Sequence, residues 1–316
     1  MVGNLNHCRA LVTGGTGYLG ARIGKSLAEQ GYDVCLGSRY PFANGTVEGC
    51  NQVATDWDDS EFKFCKGFDL IIHAAGMNAN DCAKNPEMAY RFNGLITEKL
   101  IERALEFGCK RFFYLSTVHV YDAPLIGCFN ESSVTLNKHP YATSHFYGEQ
   151  ALEKVLATGA LRGAVLRLSN CFGYPITSTR DSWGLVVNEF ARDAVLKQEI
   201  TINGNYLSKR DFLSIAELNK ILEEVLNYSD TLPSIINISS GKSMTLGEIA
   251  NIVSEITSQV IGEKVSILKN INSAPEGDLL IDNNALKGMG ISVGRNLNGE
   301  MQDLISNAIK TFKSLQ

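Results

Sequence analysis

The chain has 316 residues, 44% of them hydrophobic and 20% charged, and its 29 Lys and Arg against 34 Asp and Glu leave a formal net charge of −5. Such a chain can bury a large core and suggests about two domains or one large one, and its composition excludes disorder. The acidic balance gives no reason to expect nucleic acid, so a phosphate-bearing ligand has to be held by helix ends and single arginines rather than by a general basic field.

All eight cysteines (Cys8, Cys35, Cys50, Cys65, Cys82, Cys109, Cys128 and Cys171) lie in the first 171 residues, without a CxxC pair or metal-type clustering. They read mostly as small buried apolar residues, and no metal is expected. Met1 to His7 holds no basic-then-apolar leader and no apolar stretch approaches a membrane span, so the expected location is the cytoplasm, reduced and away from the membrane.

The first strand is Ala10-Leu11-Val12. It runs into Thr13-Gly14-Gly15-Thr16-Gly17-Tyr18-Leu19-Gly20, and the periodic stretch from Ala21 to Gln30 follows as a helix. The glycines fit GxGxxG on Gly15, Gly17 and Gly20, or GxxGxxG on Gly14, Gly17 and Gly20. Strand, glycine turn and helix in this order aim unpaired N–H groups and a positive dipole end at the turn, where a dinucleotide pyrophosphate fits. Gly14, Gly17, Tyr18, Leu19 and Gly20 are the expected contacts.

Asp33 to Gly37 reads as a second strand ending at Ser38-Arg39, before a loop around Pro41 and Asn44-Gly45. An acidic residue at that end would accept from the adenosine ribose, whereas Ser38 and Arg39 offer donors and a positive charge suited to a 2′-phosphate, which favours NADP over NAD. A solvated surface role is the plainer reading of Arg39. A third strand over Asn51 to Thr55 ends at Asp56-Trp57, where the adenine edge would lie.

The fourth strand is the apolar run from Asp69 through His73, followed by Ala74-Ala75-Gly76, small residues that let a ligand approach the backbone. His73 reads as a hydrogen-bonded structural residue. A helical segment from about Asn80 to Phe107, interrupted near Pro86, carries Asn93 in its middle and stops at Gly108. Arg111 to Leu115 is strand five, which delivers Ser116 to Tyr121 to the same sheet edge as the glycine turn. Alternating strands and helices over about 170 residues specify an α/β fold of Rossmann type, a doubly wound parallel sheet binding ligands at its carboxyl edge. A further helix begins at Pro140, and on it Tyr141 and His145 stand one turn apart on one face.

These segments, together with Arg167 to Gly173, Arg210-Asp211-Phe212 and Asn237 to Gly241, resemble over nearly the whole chain the extended short-chain dehydrogenase/reductase family, particularly its nucleotide-sugar epimerases, dehydratases and reductases. The resemblance implies that Tyr141 is the acid or base on a sugar hydroxyl or ketone, that Thr117 hydrogen-bonds the same oxygen, and that hydride passes to or from a nicotinamide. It also implies a cofactor role for Asn93. The family's lysine, four residues after the tyrosine, is His145 here. No register shift restores it, because Leu125 follows Tyr121 and Ala151 follows Tyr147 at that spacing. A histidine there is mostly neutral at pH 7 unless a neighbour raises its pKa; it can still bond the nicotinamide ribose, and only as imidazolium would it lower the Tyr141 pKa. The dehydratases' acidic pair after the threonine is replaced by Val118 and His119, so dehydration is not expected.

The resemblance also implies a dinucleotide-binding domain over residues 1–173 with a return near 205–240, and a smaller α/β substrate-binding domain over 174–316. Asn170 and Arg210 match contacts to the substrate diphosphate, and Asn188 one near the nucleobase. A turn-capping role for Asn170 and an ion pair of Arg210 with Asp211 or another acid are the structural alternatives. In the late Pro-Gly-Asp segment Ala274 stands where an arginine is usual, and Glu276 is inserted. The tail from Leu297 to Leu315 has helical periodicity. A homodimer through the helices near residues 93–107 and 141–157 is implied. The leading expectation is an NADPH-dependent 4-keto-sugar reductase of surface-polysaccharide or glycoside biosynthesis. The others are an NAD-dependent 4-epimerase, and a cofactor-binding protein whose site is impaired by His145.

Overall fold

The computed structural model describes residues 8–40, 47–177, 180–269, 277–294 and 297–313. All five strands expected from the sequence are present: β1 (Arg9–Thr13), β2 (Asp33–Ser38), β3 (Cys50–Ala54), β4 (Leu70–His73) and β5 (Arg111–Thr117). They are followed by β6 (Gly127–Phe129), β7 (Arg162–Leu168), β8 (Asn170–Phe172), β9 (Glu199–Ile202), β10 (Lys209–Ser214), β11 (Ile235–Ile238), β12 (Ser243–Thr245), β13 (Ser266–Lys269) and β14 (Leu279–Ile281). Seven of them form a parallel sheet in the order β3-β2-β1-β4-β5-β7-β11. β4 is wholly buried and β5 nearly so, as continuous apolar runs covered on both faces must be, whereas edge strand β3 is half-exposed.

The helices are α1 (Tyr18–Glu29), α2 (Ala79–Lys84), α3 (Pro86–Ala89), α4 (Ile96–Glu106), α5 (Pro140–Leu156), α6 (Val186–Lys197), α7 (Ile215–Asn227), α8 (Leu246–Ile261), α9 (Asn284–Gly288) and α10 (Asn298–Phe312). The segment expected as one helix interrupted near Pro86 is α2, α3, a π-helical turn over Tyr90–Leu95, and α4, which stops at Gly108 with φ +82°. α1 and α7 cover one face of the large sheet, while α4 and α5 cover the other. A second core gathers α6, α8 and α10 around Phe172, Ile200 and Phe212. Of the cysteines, Cys65, Cys82 and Cys109 are buried and Cys128 on β6 is exposed, with the rest half-buried. No helix of the described residues is long and apolar enough to cross a membrane.

α1 is stitched to the second half of the chain. The Tyr18 hydroxyl donates to Gly173 O at 2.8 Å, and Thr177 Oγ1 donates to Thr16 O at 2.7 Å. Arg22 lies 4.0 Å over the Tyr174 ring and forms a two-pronged bond with Glu300 of α10, at 2.8 and 3.0 Å. Glu300 Oε2 also accepts from Ala216 N at the start of α7, at 3.0 Å. Both members of the pair are buried, so removing one strands the other charge without water. Glu300→Ala should therefore cost about 3–5 kcal/mol in denaturant unfolding, and the double variant Arg22→Met/Glu300→Leu should lose markedly less.

Candidate active site

The chain leaves β1 for β2 and β3 on one side of the sheet and returns at β4 on the other, so the carboxyl ends of β1 and β4 border the crevice where such sheets bind ligands. Gly14 has φ +65°, and a Cβ there would stand 2.8 Å from Ala75 N and 2.9 Å from the Ala74 carbonyl carbon. Gly17 N bonds back to Gly14 O at 2.8 Å, and a Cβ on Gly20 would run into that same carbonyl. Gly14, Gly17 and Gly20 therefore shape the turn. Gly15 is a packing glycine instead, because its Cβ would meet Leu36.

α1 starts at Gly17 with no side-chain cap and no acidic residue in its first turn. The first helical bond runs from Ala21 N to Gly17 O. The N–H groups of Tyr18, Leu19 and Gly20 thus precede the helical ladder and suit a phosphate, with the helix dipole adding to the attraction. Tyr18 and Leu19 enter the site through their backbone, since the Tyr18 phenol is committed to Gly173. The cradle fits a dinucleotide pyrophosphate.

At the end of β2, Ser38 Oγ donates to Tyr40 O at 3.0 Å and sits 3.1 Å from Thr16 Oγ1, so this hydroxyl fastens the loop. Arg39 is exposed, its guanidinium 6.0 Å over the Phe92 ring. Trp57 packs edge-on against the same Phe92 at 5.6 Å, and against Phe64 at 5.0 Å. Asp56 is exposed and its Oδ1 accepts from Asp58 N and Asp59 N, shaping the turn after β3.

Asn93 lies in the π-helical turn and is 1% exposed. Its Oδ1 accepts from Met77 N at 2.8 Å, which holds the loop after Gly76, and its Nδ2 donates to Ser144 Oγ on α5 at 3.1 Å. His73 is structural, as expected: Thr13 Oγ1 lies 2.6 Å from its Nδ1 and Thr97 Oγ1 2.9 Å from its Nε2. Burial pushes its pKa down to about 3, and His145 adds to the effect.

Tyr141, Thr117 and His145 come together. Tyr141 and His145 rings meet edge to face at 4.6 Å, and the Tyr141 phenol is hydrogen-bonded to the Thr117 side chain. Burial drives the Tyr141 pKa up to about 12, against the lowering effect of Thr117. Burial also drives the His145 pKa down to about 4. With these shifts His145 is a neutral ring at pH 7, as a histidine without a charged neighbour should be, and Tyr141 a protonated phenol.

On the substrate side, His119 follows Thr117, whose Oγ1 accepts from His119 N at 3.1 Å. Its pKa is lowered by burial, then by the charges of Arg210 and His139. His139 caps α5, its Nδ1 accepting from Tyr141 N at 3.2 Å. Asp211 does not pair with Arg210 as the structural alternative supposes. It points to the other face of β10 and accepts from Ser240 N at 2.9 Å and Ser240 Oγ at 2.8 Å. Asn170 donates to Asp211 O at 3.0 Å, tying β8 to β10.

Asn188 is where the expectation is corrected. It is 0% exposed, and its Nδ2 reaches Tyr18 Oη, Gly173 O and Ser182 O at 3.1, 3.0 and 2.9 Å. An amide so enclosed fastens α6 to α1 and leaves nothing for a nucleobase. Tyr114, Thr97 and Ser144 join the site unannounced by any motif. The only signal for Tyr114 is a hydroxyl inside a buried strand, which must find a partner. Met1 to His7, Pro41, Asn44, Gly45, Ser178, Ala274 and Glu276 lie outside the described residues.

A family model for the NAD dependent epimerase/dehydratase family matches residues 10–239. A putative UDP-glucose 4-epimerase of Methanocaldococcus jannaschii is 27% identical over 252 residues, covering 77% of this chain and 80% of that protein. A dTDP-6-deoxy-L-talose 4-dehydrogenase (NAD(P)(+)) of Kitasatospora kifunensis is 25% identical over 256 residues, 78% of each chain. Among solved structures, MoeE5 in complex with UDP-glucuronic acid and NAD has the same fold, with a TM-score of 0.79 at 19% identity over 96% of this chain and 100% of that one.

His73 and His145 are neutral when folded and take up protons near the ordinary pKa of about 6.5 once unfolded. With the folded pKa below the unfolded one, their contribution to stability is full above about pH 6.5 and is lost as the pH falls toward about 4. Between pH 7 and pH 5 each should withdraw about 2 kcal/mol, so urea unfolding of His145→Gln at both pH values should show that much less acid sensitivity.

Proposed function

The chain belongs to the NAD dependent epimerase/dehydratase family of extended short-chain dehydrogenases/reductases, which are enzymes, and from that premise we propose that it is an NADPH-dependent reductase of a keto group on a nucleotide-activated sugar. The observation that carries the reading is the protonation state of Tyr141. At neutral pH a phenol whose pKa is raised to about 12, with only a neutral histidine beside it, holds its proton and so stands in the form that can act as the acid. Reduction of a ketone starts from that state, whereas oxidation of an alcohol needs the phenolate. Bound NADPH supplies the hydride. Tyr141 delivers its proton to the ketone oxygen, and the Thr117 hydroxyl shares the hydrogen bond that holds that oxygen in place.

Val118 and His119 supply no carboxylate for removal of water, which argues against dehydration. Arg39 follows Ser38 at the end of β2, a position where the sequence has no acidic residue, and supports a 2′-phosphorylated cofactor. Arg210 and His119 offer the donors that a diphosphate next to the sugar would need. The Kitasatospora relative, named for redox at a sugar 4-position with either cofactor, is consistent with this reading. A 4-epimerase is the second reading, favoured by the name of the Methanocaldococcus relative.

With the phenol as acid, NADPH consumption in the presence of a keto-sugar nucleotide should be flat from about pH 6 to pH 9, while the reverse oxidation should rise about tenfold per pH unit. His145→Lys places a cation beside Tyr141 and should raise oxidation at pH 8 by about tenfold or more. Interconversion of epimers by the purified protein without added cofactor would move the assignment to the epimerase.

A further inference from the structure

His73, Tyr114 and His145 form a buried stack, with centroids 5.4 Å apart between the first two and 5.8 Å between the last two. Its hydrogen bonds have a fixed direction. Thr97 Oγ1 donates to the Asn93 carbonyl at 2.8 Å, so it must accept from His73 Nε2, which therefore carries the proton of a neutral ring. His73 Nδ1 is then bare and accepts from Thr13 Oγ1.

The Tyr114 hydroxyl has one proton; His145 Nδ1 lies 2.8 Å and the Asn93 carbonyl 3.4 Å from it, and the Thr97 hydroxyl, which spends its own proton on that carbonyl, is a third partner. The carbonyl already receives Thr97, and the imidazole nitrogen is much closer. The Tyr114 proton therefore goes to Nδ1, and a neutral His145 then carries its own proton on Nε2. That nitrogen borders the cleft: a Cβ on Gly76 would lie 3.8 Å from it and 3.5 Å from Asn93 Oδ1.

We infer that Tyr114 is a positioning residue that fixes His145 as the Nε2–H tautomer, giving the cleft an uncharged hydrogen-bond donor at the place where the motif carries a lysine. The role of the donor, holding a hydroxyl of the bound dinucleotide, rests on the reading of the cleft given above. The tautomer itself does not.

Nitrogen-15 spectra of histidine-labelled protein without cofactor test it. Expected for His145 are a protonated Nε2 and a bare Nδ1, unchanged from pH 6 to pH 8. In Tyr114→Phe the two tautomers should mix, and NADPH binding should weaken by about tenfold, the loss of one well-placed hydrogen bond. A protonated Nδ1 or an imidazolium in the native protein overturns the inference, and so does an unmixed Nε2–H form in the variant. Should the variant not fold, 3-fluorotyrosine at position 114, a stronger donor of the same shape, shifts the Nδ1 resonance if Tyr114 is its partner. An unmoved resonance overturns the assignment. If the spectra are as expected but neither NADPH nor NADH binds, the dinucleotide reading of the cleft fails and the tautomer assignment stands.

Discussion

An imidazole shut away from water cannot keep a proton at neutral pH, and the site is built around that restriction. His145 occupies the position from which a lysine would hold Tyr141 ready to ionise, yet its 6% exposure leaves it uncharged. The low polarity that forbids the charge also strengthens each hydrogen bond in the stack. What the site loses in electrostatic force it regains in fixed donor direction, from Thr13 to His73 beside the glycine turn, and from Tyr114 to His145 Nδ1, which leaves the proton on the nitrogen facing the cleft. A phenol set in such surroundings serves one direction of a redox reaction far better than the other.

The fold supplies this order through two irregularities. The π-helical turn over Tyr90–Leu95 lets Asn93 work in both directions at once, its side chain toward Met77 and Ser144 and its carbonyl toward Thr97 and Tyr114. A regular helix would present one face only. The second is the glycine turn, where Gly14 takes a left-handed conformation and, lacking a Cβ, lets Ala74 and Ala75 come close enough for β1 and β4 to share one crevice.

Much of this is legible in the sequence. The five strands follow from apolar runs ended by turn residues, and the pairing of Thr117 with Tyr141 follows from the family resemblance, whose two residues sit here at the end of β5 and the start of α5. Legibility stops where a property belongs to the surroundings. The charge on His145 depends on its burial, and the Tyr114 ring stacked against it is far away along the chain. Asn188 looks like any polar residue on an amphipathic helix, and only the packing of α6 against α1 shows its amide to be enclosed. Gly14 and Gly15 are alike as letters, and the neighbours, Ala74 in one case and Leu36 in the other, separate their tasks.

The bond between Arg22 and Glu300 joins positions 278 residues apart in the chain. Protein synthesis runs from the amino end, so a growing polypeptide displays the first helix long before its ionic mate exists. Until α10 emerges, that arginine must stay hydrated and α1 cannot settle fully onto its neighbours. The fit of α1, and of the glycine turn that leads into it, is thereby tied to the last helix of the described residues.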